Sequence, residues 1–376
     1  MIYLDNNATT AVDPEVYDAV FASLKRDAGN PSSSHAAGRR VSESISRARQ
    51  KTAGLVGCSA KEICFTSGGT ESNNLALMGA AMARGRGHII TSLVEHPSVA
   101  NTCRHLETLG FAVTYLPVDR DCRVNPEELE KAVREDTFLI SIMHSNNETG
   151  VLQPVEEIGK IVRRIGITFH IDAAQSIGKM PFNAAEANAD LVTIVSHKFY
   201  GPKGIGALFI RNGINIRPLL FGAGHEKGLR PGTENVHGIV GLGKACEIAA
   251  RDMKARVSHT SQIRDMLLRL LQNAAPDIGV NGGKAQRLPN TLNIRIPGAQ
   301  SHRLVDMIGD RVAASTGSAC HAGTSTPSAV LKNMGLSDAE ALSSMRLSVG
   351  KDNTEEEIIN AAEIIVAAIN ELRSLL

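Results

Sequence analysis

Seven short apolar runs punctuate the chain, at 63–66, 89–92, 112–116, 138–143, 168–171, 191–195 and 206–210. They are rich in β-branched residues and end at glycine or polar turns, which marks them as strands. Most are apolar at successive positions instead of alternating, the pattern of strands covered on both faces. The intervals carry helical periodicity at 71–83, 98–109, 125–134 and 155–164. Strand and helix alternating at this spacing predict an α/β fold, a mostly parallel sheet with helices on both faces. In such sheets ligands bind beyond the carboxyl ends of the strands.

The pattern changes after Gly232. A long helical region covers about 235–273, with a break expected near Lys254, and short strands follow at 291–296 and 346–349. Thr354 and Glu357 form a capping box for a terminal helix whose apolar face uses Ile358, Ala361, Ile365, Ile369 and Leu372. This part reads as a smaller α+β domain. A chain of 376 residues is long for one hydrophobic core. The expected division is a large α/β domain over 14–253 and a small C-terminal domain over 254–376. Residues 1–13 form an arm near the small domain and the active site.

Composition narrows the partners. Forty basic side chains against 39 acidic ones leave a formal charge of +1, so nothing favours nucleic acid or an anionic membrane. The start carries no basic region followed by an apolar run, and no apolar stretch reaches the ~18 residues of a membrane span. A soluble cytoplasmic protein is the expectation. The six cysteines are scattered without C-x-x-C spacing, which excludes a disulfide scaffold and gives no metal site. Most read as ordinary buried or partly buried thiols, with Cys320 the exception.

Candidate chemistry concentrates at the predicted strand ends. Val195-Ser196-His197-Lys198-Phe199-Tyr200-Gly201-Pro202-Lys203-Gly204 puts an amine at the mouth of a glycine-rich loop. Phe169-His170-Ile171-Asp172 brings a carboxylate to the end of another strand. After the first strand, Ser67-Gly68-Gly69-Thr70 turns tightly into a helix, aiming backbone N–H groups and a hydroxyl at an anion. With Ser196 and His197 beside the lysine, these parts suit pyridoxal 5'-phosphate. Lys198 would anchor the cofactor as a Schiff base, with Lys203 a weaker rival. Asp172 would hold the proton of the ring nitrogen, Gln175 would reach the ring hydroxyl, and His96 would stack on the ring. His96 alone is also compatible with a plain role at a helix start.

The chain resembles the NifS/IscS-like cysteine desulfurases, class-V aminotransferase members of the fold-type I pyridoxal-phosphate enzymes. The resemblance runs through Tyr3-Leu4-Asp5-Asn6-Asn7-Ala8-Thr9-Thr10, Glu95-His96-Pro97, Asn146-Asn147-Glu148-Thr149-Gly150 and His170-Ile171-Asp172-Ala173-Ala174-Gln175. It continues through the Lys198 loop, Gly228-Leu229-Arg230-Pro231-Gly232-Thr233-Glu234-Asn235 and Ser318-Ala319-Cys320. It implies a seven-stranded sheet, a homodimer, and Gly69, Thr70, Ser196 and His197 as phosphate ligands. Thr233 would be lent to the phosphate by the other subunit. Asn147 would contact cofactor or substrate, while Asn7 and Arg346 would receive the substrate carboxylate. A guanidinium suits that task through its planar two-pronged match to a carboxylate, although Arg346 also fits a structural ion pair.

The same resemblance implies the reaction. L-Cysteine would become L-alanine, with Lys198 moving protons, His96 assisting them, and the sulfur carried away on Cys320 as a persulfide. Cys320 sits in Ser315-Thr316-Gly317-Ser318-Ala319-Cys320-His321-Ala322-Gly323, a small, polar stretch suited to a mobile, accessible thiol. The sulfur would pass to an acceptor protein for iron–sulfur cluster assembly or thiolation. Members specialised for an iron–sulfur scaffold extend well past the last helix, whereas this chain ends at Leu376. Cys320-His321 also resembles the selenocysteine lyases of the same superfamily, so selenium release from L-selenocysteine is the alternative. A catalytically silent binding protein on the same fold is a third reading.

Overall fold

The computed structural model describes residues 1–316, 318–321 and 324–375, with the side chains of 318–321, 324 and 325 outside that description. The chain opens with strand β1 (Ile2–Tyr3) and helices α1 (Pro14–Arg26) and α2 (Ala36–Val56). The alternating region follows as β2 (Ile63–Thr66), α3 (Gly69–Arg84), β3 (His88–Ser92), α4 (Pro97–Thr108), β4 (Ala112–Leu116) and α5 (Pro126–Lys131). It continues with β5 (Thr137–Met143), α6 (Val155–Ile165), β6 (Thr168–Asp172), β7 (Leu191–Val195) and β8 (Gly206–Ile210). Helix α7 (Val236–Ala274) leads to β9 (Gly279–Val280), β10 (Thr291–Arg295), α8 (Ser301–Ile308), β11 (Val312–Ala313) and β12 (Ser315–Thr316). The last elements are β13 (Ser318–His321), β14 (Thr324–Pro327), α9 (Ala329–Asn333), α10 (Asp338–Leu342), β15 (Ser344–Ser348) and α11 (Glu355–Ser374).

The main sheet has seven strands in the order β2-β8-β7-β6-β5-β3-β4. Its pairs are parallel from β4 to β7, and β8 runs antiparallel between β7 and β2. The continuous apolar runs follow from coverage of both faces. Phe65, Ile90, Ile140, Phe169, Val192 and Phe209 join a core with α2, α6 and α7. Their neighbours Cys64, Ile89, Leu139, Leu191 and Leu208 face the opposite way, into a core with α3 and α4. Successive side chains on a strand point to opposite faces, so a sheet covered twice needs an apolar residue at each position.

A second sheet, β12-β15-β10-β9, is antiparallel and packs with α8 and α11 around Leu292, Ile294, Met345, Leu347, Ile358, Ile365 and Ile369. The capping box at Thr354 and Glu357 is formed, and Ile358, Ala361, Ile365, Ile369 and Leu372 are the buried face of α11. The N-terminal arm joins this half: β1 pairs with β11, and Leu4 lies in the same core.

The break expected near Lys254 is absent. Helix α7 is continuous over 39 residues. Its first half contributes Ile239, Leu242, Cys246 and Ala249 to the core on the main sheet, and its second half contributes Ile263, Leu267 and Leu271 to the C-terminal core. The polar stretch between them has no glycine or proline to stop a helix. It is polar because it bridges two cores, not because it unwinds. Arg256 is only 7% exposed, with its guanidinium stacked on Tyr200 at 5.0 Å. Among the described residues, no helix is long and apolar enough to cross a membrane.

Lys254→Pro tests this continuity at an exposed position. A proline there removes one N–H and clashes with the preceding turn, so a loss of about 3 kcal/mol or more is expected in denaturant unfolding. A proline variant as stable as the parent would restore the break.

Candidate active site

Strands β2 and β7 point the same way on either side of β8, so the ends of β2, β3, β5, β6 and β7 meet at one edge. A cavity of about 430 Å3 opens there. Its wall includes Asn7, Gly69, Thr70, His96, Asn147, Asp172, Gln175, His197, Lys198 and Arg346. The alternating topology therefore brings these sequence-picked residues together. Ser196 is wholly buried beside them, and its Oγ has no hydrogen-bond partner among the described residues. Thr233 is exposed and lines no part of this cavity. Cys320 falls on β13, opposite Ser325 of β14, and its side chain lies outside the described residues.

Lys198 ends a single 3-10 turn, Ser196–Lys198, that follows β7. Its Nζ donates to the carbonyls of Asn7 at 2.7 Å and Ala8 at 2.8 Å, both in the N-terminal arm. Burial, with Arg346 adding to it, lowers the Lys198 pKa to about 8 against the opposing pull of Asp172 and Asp5. At pH 7 about a tenth of this amine is therefore free to react with a carbonyl or take up a proton, far more than for an ordinary lysine. Burial and the surrounding lysines bring His197 down to about 4, leaving a neutral ring 3.1 Å from Thr9 Oγ1.

Asp172 ends β6 and is 5% exposed. One oxygen accepts from the Ala174 N–H at 3.0 Å and the other from Asn73 Nδ2 at 2.8 Å. Gln175 Nε2 donates to the Asn7 carbonyl at 3.0 Å, while its Oε1 accepts from Lys179 Nζ at 2.8 Å. Arg346 donates to Asp5 Oδ1 at 2.6 Å and to the Asn147 carbonyl at 3.0 Å, leaving its buried Nε without a partner. Arg346 thus stands in an ion pair, yet keeps a donor in reserve. The Asn7 side chain is fully engaged: Nδ2 donates to Thr291 Oγ1 and the Asn147 carbonyl, and Oδ1 accepts from Lys179 and Asn290. A substrate carboxylate would have to displace one of these bonds to reach it.

The residues fit pyridoxal phosphate. Helix α3 begins at Gly69, two residues before the periodicity expected from 71, and its N-cap Gly68 has no side chain to occupy the first amides. An uncapped helix N-terminus and the orphaned Ser196 hydroxyl are the donors a phosphate requires. Space is kept by glycine: a Cβ on Gly201 would lie 2.1 Å from Ser196 Oγ. Glu71 in the first turn accepts from the Ser67 N–H and Arg230 Nε, tying this cup to the segment that carries Thr233.

Sequence reasoning missed Lys179. It is 8% exposed, and burial beside Lys198 and Arg346 drives its pKa well below that of an ordinary lysine. Its signal is slight, a lysine set between Ile177-Gly178 and Met180. Asn73, which the sequence does not single out, is the amide that holds Asp172.

The chain matches the class-V aminotransferase family over residues 2–360. It is 44% identical to the cysteine desulfurase IscS of Dictyoglomus turgidum, over 100% of this chain and 96% of that protein. A solved NifS-like protein superposes with a TM-score of 0.91 at 39% identity, covering 100% of both chains. SspA in complex with cysteine follows with a TM-score of 0.83 at 36% identity, over 94% of this chain and 100% of that one. The chain therefore belongs to the class-V aminotransferase family of fold-type I pyridoxal-phosphate enzymes and, within it, to the NifS/IscS-like cysteine desulfurases.

Proposed function

We propose that this chain takes sulfur from L-cysteine as a pyridoxal-phosphate-dependent cysteine desulfurase, leaving L-alanine and a persulfide on Cys320. The observation that carries this reading is the meeting of Lys198, Asp172, His96 and Arg346 around one cavity. Pyridoxal phosphate supplies an electron sink for the substrate's Cα electrons. Lys198 would hold it covalently, with Asp172 at the ring nitrogen, Gln175 at the ring hydroxyl and His96 over the ring. Gly69, Thr70, Ser196 and His197 would bind the phosphate, and Asn147 would contact cofactor or substrate.

Arg346 would orient the substrate through its carboxylate, with Asn7 beside it. Lys198 Nζ takes and returns protons from its seat on the Asn7 and Ala8 carbonyls. In the sulfur step the Cβ–S bond breaks, carbon keeps the bonding pair and gains a proton, and the sulfur bonds to Cys320 Sγ. The overall change is cysteine plus one thiol giving alanine plus one persulfide. An acceptor protein, in iron–sulfur cluster assembly or thiolation, would then take the sulfur.

The reading includes a homodimer, with residues 14–253 as the cofactor-binding unit and 254–376 as the smaller one. Thr233 is exposed and does not line its own cavity, and the preceding segment exposes Leu220 and Phe221, the latter at 84%. A partner would cover this surface and receive Thr233 at its phosphate.

Incubation with L-cysteine or L-selenocysteine, measuring alanine with sulfide or selenide, tests the activity. The wild type should release alanine from cysteine, and Cys320→Ala should lose it by at least about tenfold, as expected for loss of a nucleophile. Equal alanine from that variant would remove the persulfide, and turnover of selenocysteine alone would replace the substrate.

The Lys198 amine gives a pH prediction. A group of pKa about 8 is free to about a tenth at pH 7, so reconstitution of the apoprotein should quicken about tenfold by pH 9 and then level off. The visible band of the lysine-bound cofactor reports the rate. A rate still climbing steeply above about pH 10 would make Lys198 an ordinary lysine.

Sedimentation should show a dimer, and Thr233→Ala should weaken cofactor retention while the dimer persists. A monomer that holds cofactor as firmly would remove Thr233 from the site.

A further inference from the structure

His96 is the N-cap of α4, and its Nδ1 meets two groups of Ser98. The Ser98 N–H donates to it at 3.1 Å, and Ser98 Oγ lies 2.7 Å away. Ser98 Oγ also accepts from Asn73 Nδ2 at 2.8 Å, and the same amide nitrogen donates to Asp172 Oδ2 at 2.8 Å. Two buried side chains, Asn73 and Ser98, thus join the two residues assigned to the cofactor ring.

The direction of each bond follows from counting protons. A carboxylate oxygen accepts, so the amide must turn its nitrogen toward Asp172 and its oxygen toward Thr193. Thr193 Oγ1 donates to Asn73 Oδ1 at 2.6 Å, which spends its only proton. It must then accept from His170 Nε2 at 3.1 Å, leaving His170 Nδ1 to accept from Ser141 Oγ at 2.8 Å. Burial keeps His170 neutral with a pKa of about 4, as this pattern requires. On the other side, Ser98 Oγ receives an Asn73 proton and has His96 Nδ1 as the partner for its own. With an N–H and an O–H both aimed at it, Nδ1 carries no proton.

We propose that Asn73 and Ser98 are positioning residues that fix His96 as the neutral imidazole with its proton on Nε2. His96 therefore offers the cleft a hydrogen-bond donor, and it acts as a base at Nε2 only after that proton has left. Asp172 and Lys198 are the charged groups that face it, the first favouring the imidazolium and the second opposing it. Burial, the helix N-terminus and the two donors at Nδ1 add to Lys198. The ring tautomer is thus set from behind by the amide that also clamps Asp172. This inference rests on the pyridoxal-phosphate reading only for what the donor faces, not for the tautomer itself.

Long-range proton–nitrogen NMR of the full chain with 15N-labelled histidine tests it, in apoprotein and holoenzyme, with His96→Gln assigning the signal. The wild type and Ser98→Thr should both show His96 with Nδ1 bare and Nε2 protonated at neutral pH. Ser98→Ala removes one donor to the lone pair, so His96 should take up its second proton at a higher pH than in the wild type. Asn73→Asp gives Ser98 an acceptor in place of a donor, and the Nε2–H pattern should be lost. A wild-type His96 protonated at Nδ1 would overturn the proposal. So would Ser98→Ala and Asn73→Asp variants that melt earlier yet keep the wild-type nitrogen pattern, since that is the outcome of a purely structural role. Failure to bind pyridoxal phosphate would show as a missing visible band and would leave the apoprotein tautomer result standing.

Discussion

A carboxylate held at 5% exposure at the end of β6 sets the terms for the surrounding structure. Removing such a group from water is costly unless hydrogen-bond donors replace the solvent. Asp172 receives them from its own turn, through the Ala174 N–H, and from across the sheet, through Asn73. Asn73 lies on α3, the helix whose first residues are proposed to bind the phosphate. The bond that stabilises the carboxylate therefore also fixes the distance between the two ends of the proposed cofactor site. Thr193 of β7 holds the other end of the same amide, locking α3 against the strand that leads to Lys198. Carboxylate, cup and lysine share one support.

The N-terminal arm closes the site from the opposite side. The Asn7 carbonyl accepts from both Lys198 and Gln175, while its side chain reaches Thr291 and Asn290 beside the second sheet. Arg346 reaches Asp5 and the Asn147 carbonyl. Three basic side chains, Lys179, Lys198 and Arg346, crowd this junction, and each nearby positive charge makes protonation of the lysines harder. The reactive amine is therefore a product of the assembled cleft. A separated first half would keep the strand ends but lose the arm's anchorage and Arg346, and with them much of what tunes Lys198.

What the sequence made legible follows from what is local. Buried strands announce themselves because both faces are apolar, and the α11 cap because its partners are three residues apart. The break expected near Lys254 in α7 is absent because the charged stretch Arg251, Asp252, Lys254 and Arg256 bridges two cores. Only the assembled structure places Arg256 between Tyr200 and Asp13. The identities of Lys198, Asp172 and His96 were legible, since strand ends are predictable positions for chemistry. Lys179 and the role of Asn73 were not. Their meaning lies in bonds to residues 99 and 172 positions away, and in the direction of protons along them.

Thiol chemistry shows how a fold chooses one cysteine among six. Burial pushes Cys58, Cys64, Cys103, Cys122 and Cys246 each up to about 12, so at neutral pH they are almost wholly protonated. The thiolate is the nucleophile, and a thiol held in that state does not compete for sulfur. Four of the five are also closed off from solvent in the cores, Cys64, Cys103 and Cys246 on a strand and two helices and Cys122 in the bend between β4 and α5. Cys320 falls instead on β13, which pairs with β14, in a stretch whose sequence is small and polar. Directing sulfur to one position thus depends as much on five silenced thiols as on the one proposed to react.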